Sequence, residues 1–502
     1  MRSKKAIKNI FTSLIQNVVL IICGFIVPKL IITKYGSNVN GLIGSITEFL
    51  AYITLLESGI GPVIKSKLYK PLANNDKHEL ENVLYSSEKF FRSIVKIFMI
   101  YIIILCFIYP IIVNNEFDYI FTITLLIIIS FSTIAEYCFG LTYELLLQSD
   151  QKTYVTATFR IVTTILNTIG VVILVMIGAH IFWVKLLSSL FLVLRPILLN
   201  YYVRKKYNFN LKKANRKYKL ENKYDGLAQH VAAVVHGNTD IAVLTIFSSV
   251  VEVSVYSIYL LVIKGVKNLV SAFTGGMDAS FGDMIAKGEN KKLNESFKIY
   301  ESFYYTIISI VYSCTILLII PFVTIYTNGI TDANYIRPVF AFLMVCAEYM
   351  HSIRLPYSST TLAAGHFKET MKGAWIEAFS NILISIILVF KFGIIGVAIG
   401  TLFAMTIRTI EFNYHTSKYI LNRNIFSGFI KPIVAIIQTL LIYFILNRLI
   451  VIDVVNYFDL IIYAVLIFMI SSILILCINY ILYRNEFNDI KRILKRILRK
   501  KA

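Results

Sequence analysis

The chain has 502 residues, 57% of them hydrophobic and only 16% charged, where a soluble protein carries about 25% charged residues. That composition leaves no room for a soluble catalytic domain. The formal net charge of +21 is spread over alternate gaps between apolar runs, a placement set by a membrane rather than by a nucleic acid.

Apolar runs of about 20 residues recur from end to end, each long enough to cross about 30 Å of hydrocarbon at 1.5 Å per residue. They predict about 14 spans, near 11–33, 42–64, 91–113, 119–147, 153–177, 181–203, 227–249, 253–275, 300–327, 336–362, 369–390, 394–417, 427–448 and 458–482. Met1-Arg2-Ser3-Lys4-Lys5 has the look of a signal-peptide start. The apolar stretch behind it is too long and has no small-residue cleavage site, so the first span is read as uncleaved. Gln16, Asn17 and Pro28 in that span mark either a broken helix lining a cavity or a packed kink.

The second span carries Glu48 and Glu57. Behind it, Asp76-Lys77-His78-Glu79 has capping-box spacing, and Leu80, Val83 and Leu84 then fall on one helical face. The fourth span holds Glu136 and Glu144, the fifth Arg160 about two turns in, and the sixth Lys185 and Arg195. Arg195 is near mid-span and receives no role. His230, His236, Asn238 and Asp240 lie in the seventh span, Lys264 and Lys267 in the eighth. The tenth has Glu348, His351 and Arg354, the eleventh Glu377, and the twelfth Arg408 and Glu411. The tail sets Ile490, Ile493, Leu494, Ile497 and Leu498 against Lys491, Arg492, Lys495, Arg496 and Arg499, which suits a helix lying on anionic membrane lipids.

Basic residues fill every second gap: Lys65, Lys67, Lys70, Lys77 and Lys89, then Arg204 to Lys223, Lys287, Lys291 and Lys292, Lys368 and Lys372, Lys418 and Arg423, and the tail. The intervening gaps hold Asn114-Asn115-Glu116, Asp332 and Asp453. Under the positive-inside rule the basic side is cytoplasmic and both termini are inside.

A gapped internal repeat underlies the spans. Gly59-Ile60-Gly61 returns as Gly275-Gly276-Met277, Glu88-Lys89-Phe90-Phe91 as Glu301-Ser302-Phe303-Tyr304, and Lys152-Thr153-Tyr154 as Lys368-Glu369-Thr370, each about 213–216 residues on. This predicts two parallel repeats of six spans, the plan of a secondary transporter. The organisation is then an N-terminal lobe at 1–203, a basic linker at 204–226, a C-terminal lobe at 227–417, two additional spans at 418–483 and a basic tail at 484–502.

A charge at the bilayer centre costs about 2.5–3.5 kcal/mol on insertion scales, so several of them demand a wet cavity or partners. Asp240, Lys264, Arg354 and Arg408 are too deep to snorkel. Glu48 and Lys264 are near-equivalent in the repeat and opposite in sign, which suits a gating pair. His236 has the chemistry of a proton sensor, and neither it nor His230 has a third ligand at metal spacing. The six cysteines sit inside apolar spans without paired spacing, as small buried hydrophobes. No G-x-x-x-x-G-K-[ST] occurs, and the outside gaps are too short for a glycan polymerase or ligase site. No catalytic residue and no cofactor is assigned. Transport remains.

Several segments resemble bacterial polysaccharide-biosynthesis flippases. They are Leu55-Leu56-Glu57-Ser58-Gly59-Ile60-Gly61, Val255-Tyr256-Ser257-Ile258-Tyr259, Ala279-Ser280-Phe281-Gly282, Ile353-Arg354-Leu355-Pro356-Tyr357, Ala363-Ala364-Gly365-His366-Phe367-Lys368-Glu369-Thr370 and Gly393-Ile394-Ile395-Gly396-Val397-Ala398-Ile399-Gly400-Thr401. The similarity is to the Wzx-type group of the multidrug/oligosaccharidyl-lipid/polysaccharide (MOP) exporter superfamily, over about residues 5–415. It implies an all-α integral membrane protein with two six-helix lobes in a V-shaped, MATE-like arrangement, plus two extra C-terminal helices. The implied cargo is an undecaprenyl-type lipid-linked oligosaccharide, carried from the cytoplasmic to the outer leaflet of a bacterial cytoplasmic membrane by alternating access and passed to polysaccharide polymerase machinery. Arg160, Lys264, Arg354 and Arg408 fit the cationic cavity lining such a cargo needs. Glu48, Glu57, His236, Asp240 and Glu377 are the coupling or gating candidates. A MATE-type drug or cation exporter, a peptidoglycan-precursor flippase and a non-transporting scaffold of a glycan-synthesis complex stay open as alternatives.

Overall fold

A computed structural model of the chain describes residues 2–489 and 492, apart from 58, 212–213, 217, 219–226, 272 and 275–276. Side chains at 2–7, 227–229, 232, 233, 236, 278 and 279 are not described. The His236 side chain, the Gly275-Gly276 copy of the repeat, much of the basic linker and the amphipathic tail therefore lie outside the described residues.

All regular structure among the described residues is helical. In chain order the first ten helices are α1 (Arg2–Ala51), α2 (Thr54–Glu57), α3 (Ile60–Asn74), α4 (Lys77–Ile112), α5 (Tyr119–Ala135), α6 (Leu141–Ser149), α7 (Thr153–Met176), α8 (Ile181–Tyr207), α9 (Leu227–Phe247) and α10 (Val250–Ser271). There follow α11 (Met277–Ala286), α12 (Asn290–Tyr326), α13 (Pro338–Ala363), α14 (Met371–Phe392), α15 (Ile394–His415), α16 (Ile425–Leu449) and α17 (Tyr457–Leu482). A π turn, Glu136–Gly140, runs α5 into α6, and a second, Thr416–Ile420, extends α15.

Among the described residues, ten helices are long and apolar enough to cross a membrane, which makes this a multi-pass membrane protein. The expected spans outside those ten are α9, α10 and α13, of 21, 22 and 26 residues; these carry Asp240, Lys264, Lys267, Glu348 and Arg354. The first two expected spans meet inside α1. That helix passes Pro28 without interruption and breaks instead at Gly36, whose φ of 89° and ψ of 166° only glycine adopts without strain. The second expected span, 42–64, is itself broken after Ala51 and again at Gly59. Its end belongs to α3, whose Ile60, Ile64 and Leu68 are buried below Lys65, Lys67 and Lys70. Asp76 caps α4 as expected, its side chain accepting from the Glu79 N–H at 3.0 Å, and Leu80, Val83 and Leu84 are buried beneath it.

The chain divides into two compact units, Met1–Ser257 and Ile258–Ala502, with the division inside α10. In the first, α1 packs along α7, α7 along α8, and α8 against α5. Its core joins Leu42, Ile46 and Leu50 of α1 to Phe91 and Phe98 of α4 and Leu199 of α8. In the second, α13, α14 and α15 form one layer, while α12 supports α16 and α17.

Lipid supplies no hydrophobic force between helices, so packing and polar contacts must hold them together. Buried tyrosines serve here: Tyr304 and Tyr305 of α12 donate to the Ser352 and Ile353 carbonyls of α13, and Tyr349 of α13 donates to the Ala435 carbonyl of α16 at 2.9 Å. Gln438 donates to Asn479 at 3.1 Å and Asn479 to Thr306 at 2.9 Å, sewing α16 and α17 onto α12. The two tryptophans face outward, Trp183 in the first turn of α8 and Trp375 in the first turns of α14. The six cysteines are free thiols.

Candidate functional site

Each unit holds an intramembrane network of arginines and glutamates. In the first unit the π turn and α6 present Glu136 and Glu144, α7 presents Arg160 and α8 presents Arg195. Arg195 meets Glu136 at 2.5 Å, whereas Arg160 stands 3.9 Å from Glu144. Gln148 donates to Glu144 at 3.4 Å, and Lys65 donates to Gln148 at the same distance. The π turn also brings Tyr137 round to donate its hydroxyl to Glu57. His230, close enough to act on Glu57 electrostatically, donates to the Thr54 carbonyl at 2.6 Å. Arg160 is the open member of the set, 36% exposed against 17–18% for Arg195, Glu136 and Glu144.

In the second unit α13 carries Glu348, His351 and Arg354 at three-residue spacing on one face. Lys267 Nζ lies 3.5 Å from Glu348 Oε1, and His351 Nδ1 lies 3.1 Å from the same oxygen. Arg354 donates to Glu377 Oε1 at 2.7 Å, and Arg408 meets Glu377 Oε2 at 3.2 Å. Arg408 also donates to Glu411 and to the Thr370 carbonyl, and stacks 4.1 Å from the Phe412 ring centre. Thr370 is the N-cap of α14, so this arginine anchors the start of that helix. Gly373, one turn in, has no room for a Cβ because the Glu411 carboxylate occupies the space. Cations and carboxylates alternate along the track, from Lys267 through Glu348, Arg354, Glu377 and Arg408 to Glu411.

The residues expected to line a cationic cavity are placed as follows. Arg160, Arg354 and Arg408 each face a glutamate, because an isolated buried charge would carry a heavy desolvation cost. Arg408 is 2% exposed and Glu377 5%; both are locked in place. Lys264 is exposed on α10. Asp240, 4% exposed, accepts from Tyr256 at 2.8 Å. Tyr52, hydrogen-bonded to Thr239, lies within electrostatic reach of both Asp240 and half-buried Glu48.

Reasoning from the sequence misses two further triads. Tyr143 donates to Glu88 at 2.5 Å and accepts from Arg204 at 3.4 Å. Tyr357 donates to Glu301 and accepts from Arg423 at 2.8 Å. Glu88 and Glu301 are the glutamates matched in the repeat. The tyrosines stand about the same interval apart, as do Arg195 and Arg408. Projecting each charged residue through that offset would have paired Glu88 with Glu301 and Arg195 with Arg408, but not Arg204 with Arg423, which stand 219 residues apart.

No protein-family profile matches this sequence, and no curated protein sequence matches it. Solved structures do. A multidrug-resistance MATE family transporter of the MOP superfamily, in an inward-facing conformation, superposes with a TM-score of 0.59 at 14% identity, over 79% of this chain and 92% of that one. The Vibrio cholerae MATE transporter VcmN, in its bent form, gives 0.53 at 13% identity, over 88% and 98%. The eukaryotic MATE transporter AtDTX14 gives 0.53 at 12% identity, over 84% and 98%. The chain thus has a MATE-like all-helical fold, and it is longer than the parts of it those structures match.

Proposed function

We propose that the chain is a flippase that carries a lipid-linked oligosaccharide, joined to its polyprenyl tail through pyrophosphate, across a bacterial cytoplasmic membrane. The observation that carries this reading is Arg160: a guanidinium in a membrane-spanning helix, more than a third exposed and only loosely paired. Such a group is free to meet a phosphate, which a planar guanidinium fork grips through two parallel hydrogen bonds. Arg354 and Arg408 are committed to Glu377 and serve to position helices rather than to take cargo.

The MATE-like fold supports transport. Helices α10, α12 and α17 enclose an apolar groove of about 240 Å³, lined by Val262, Leu318, Phe322, Leu460 and Ala464 among others. An isoprenoid tail has somewhere to lie there without entering the polar networks. The sugar head is what needs carrying, since each unpaired hydroxyl costs several kcal/mol in hydrocarbon. Glu57 and Asp240 are the coupling candidates in the first unit. Both termini face the cytoplasm in this reading, and the cargo passes to polymerase machinery outside.

The test replaces the gene with Arg160→Ala and Arg160→Lys variants and follows surface polysaccharide and extracted lipids. Arg160→Ala should cut surface polysaccharide about tenfold or more, a loss of roughly 1.4 kcal/mol in phosphate recognition, with undecaprenyl-type intermediates accumulating. Arg160→Lys should retain part of the flux. Unchanged lipids with new dye sensitivity would replace this reading with a drug exporter. Unchanged polysaccharide in Arg160→Ala would leave a scaffold.

A further inference from the structure

We infer that the segment of α1 beyond Gly36 and the α9–α10 hairpin form a latch that closes the non-cytoplasmic face and opens once in each cycle; this rests on the transport reading. The contacts all lie within the first unit. Tyr109 of α4 donates to Ser45 of α1 at 2.8 Å, Ser45 meets Thr245 of α9 at 2.7 Å, and Thr245 donates to the Ile241 carbonyl. This hydroxyl chain is buried at every link. One turn away Asn40 donates to Ser254 of α10 at 2.8 Å. Between them Gly41 lies directly against the Val250 carbonyl, leaving no space for a side chain. Glu116, in the turn after α4, accepts from the Val250 N–H at 3.1 Å at the first turn of α10.

Three properties make this a latch rather than fixed packing. The α1 segment that carries Asn40, Gly41 and Ser45 is bounded by a break at Gly36 and by the turn after Ala51, so it can swing as a short rod. Apart from the Glu116 carboxylate on the Val250 N–H, the contacts are neutral hydroxyl and amide hydrogen bonds, the modest class, whereas the networks elsewhere pair arginine with glutamate. Finally, the parts that meet are the turns at 114–118 and 248–249 and the broken middle of α1. These gaps are poor in basic residues and so lie on the outer face.

Two measurements on the full-length chain test it. In intact cells, a Ser45→Cys variant should react slowly with a membrane-impermeant maleimide. Adding Gly41→Ala should speed that reaction by about tenfold, one decade of the open–closed equilibrium. Gly44→Ala, whose Cβ would meet Ser257 Oγ at 3.2 Å, is the milder wedge should Gly41→Ala fail to give a monodisperse protein. Separately, Ser45→Cys with Thr245→Cys should form a disulfide under mild oxidation, seen by peptide mass. That disulfide should stop surface polysaccharide production until dithiothreitol is added. Labelling that neither wedge changes, a disulfide that never forms, or one that forms with production intact overturns the latch. Labelling reads the latch whatever the cargo, so a wrong cargo leaves that arm standing while the Arg160 lipid assay fails.

Discussion

Replacing Glu377 with alanine should leave little folded protein. The carboxylate is 5% exposed and holds Arg354 and Arg408 together. Removing one partner from a buried ion pair costs about 3–5 kcal/mol, because the other charge is stranded away from water, and that is a large part of the roughly 5–15 kcal/mol margin of a typical domain. The two arginines are affected unequally. Arg408 keeps Glu411 and the Thr370 carbonyl, whereas Arg354 loses its ion-pair partner. A second change, Arg354→Leu, should therefore recover a good share of the lost stability. The check is the monodisperse yield and melting temperature of wild type, single and double variants in detergent. Equal melting of the single variant and wild type would mean that Glu377 is not the counter-charge of these arginines.

The second large effect separates the two matched triads. Glu301 is 1% exposed and faces two cations, Arg423 at 3.2 Å and Lys431 at 3.4 Å. Glu88 is 9% exposed, and its ion-pair partner Arg92 is 62% exposed. A glutamine at either position keeps an acceptor for the tyrosine hydroxyl and removes only the charge. Glu301→Gln should then cost about 3–5 kcal/mol, and Glu88→Gln about 1 kcal/mol or less, the worth of a surface pair. Thermal melts of the two variants side by side decide it. A Glu88→Gln variant as damaged as Glu301→Gln would mean that the Glu88 charge matters as much as the Glu301 charge despite its exposed ion-pair partner.

Much of the fold can be read in advance because a membrane imposes a one-dimensional rule: apolar length gives a span. The α4 start at Asp76 is legible for a similar reason, since a capping box is local. The break in α1 is not. Pro28 is the conspicuous residue, yet a proline in a lipid-facing helix is tolerated, while the true break falls at Gly36, marked only by its positive φ. The charges are visible one by one, but their pairing depends on which helices lie side by side. Arg354, Glu377 and Arg408 come from three different helices. Arg195 looks idle in the sequence because Glu136 reaches it only through the π turn, a local irregularity with no sequence signature. Glu301 and Arg423 stand in the sequence as a repeat marker and a topology signal, and their proximity is tertiary.

The outward-facing tryptophans have a spectroscopic consequence. The sequence holds just two, against 32 tyrosines, with Trp183 in one unit and Trp375 in the other, 64% and 38% exposed. In the proposed topology their indoles occupy the first turns of helices that enter from opposite faces, at the depth where aromatic side chains favour the headgroup boundary. Emission from the native protein would then come from one fluorophore near each leaflet, and a brominated acyl chain confined to a single leaflet would dim one unit without touching the other.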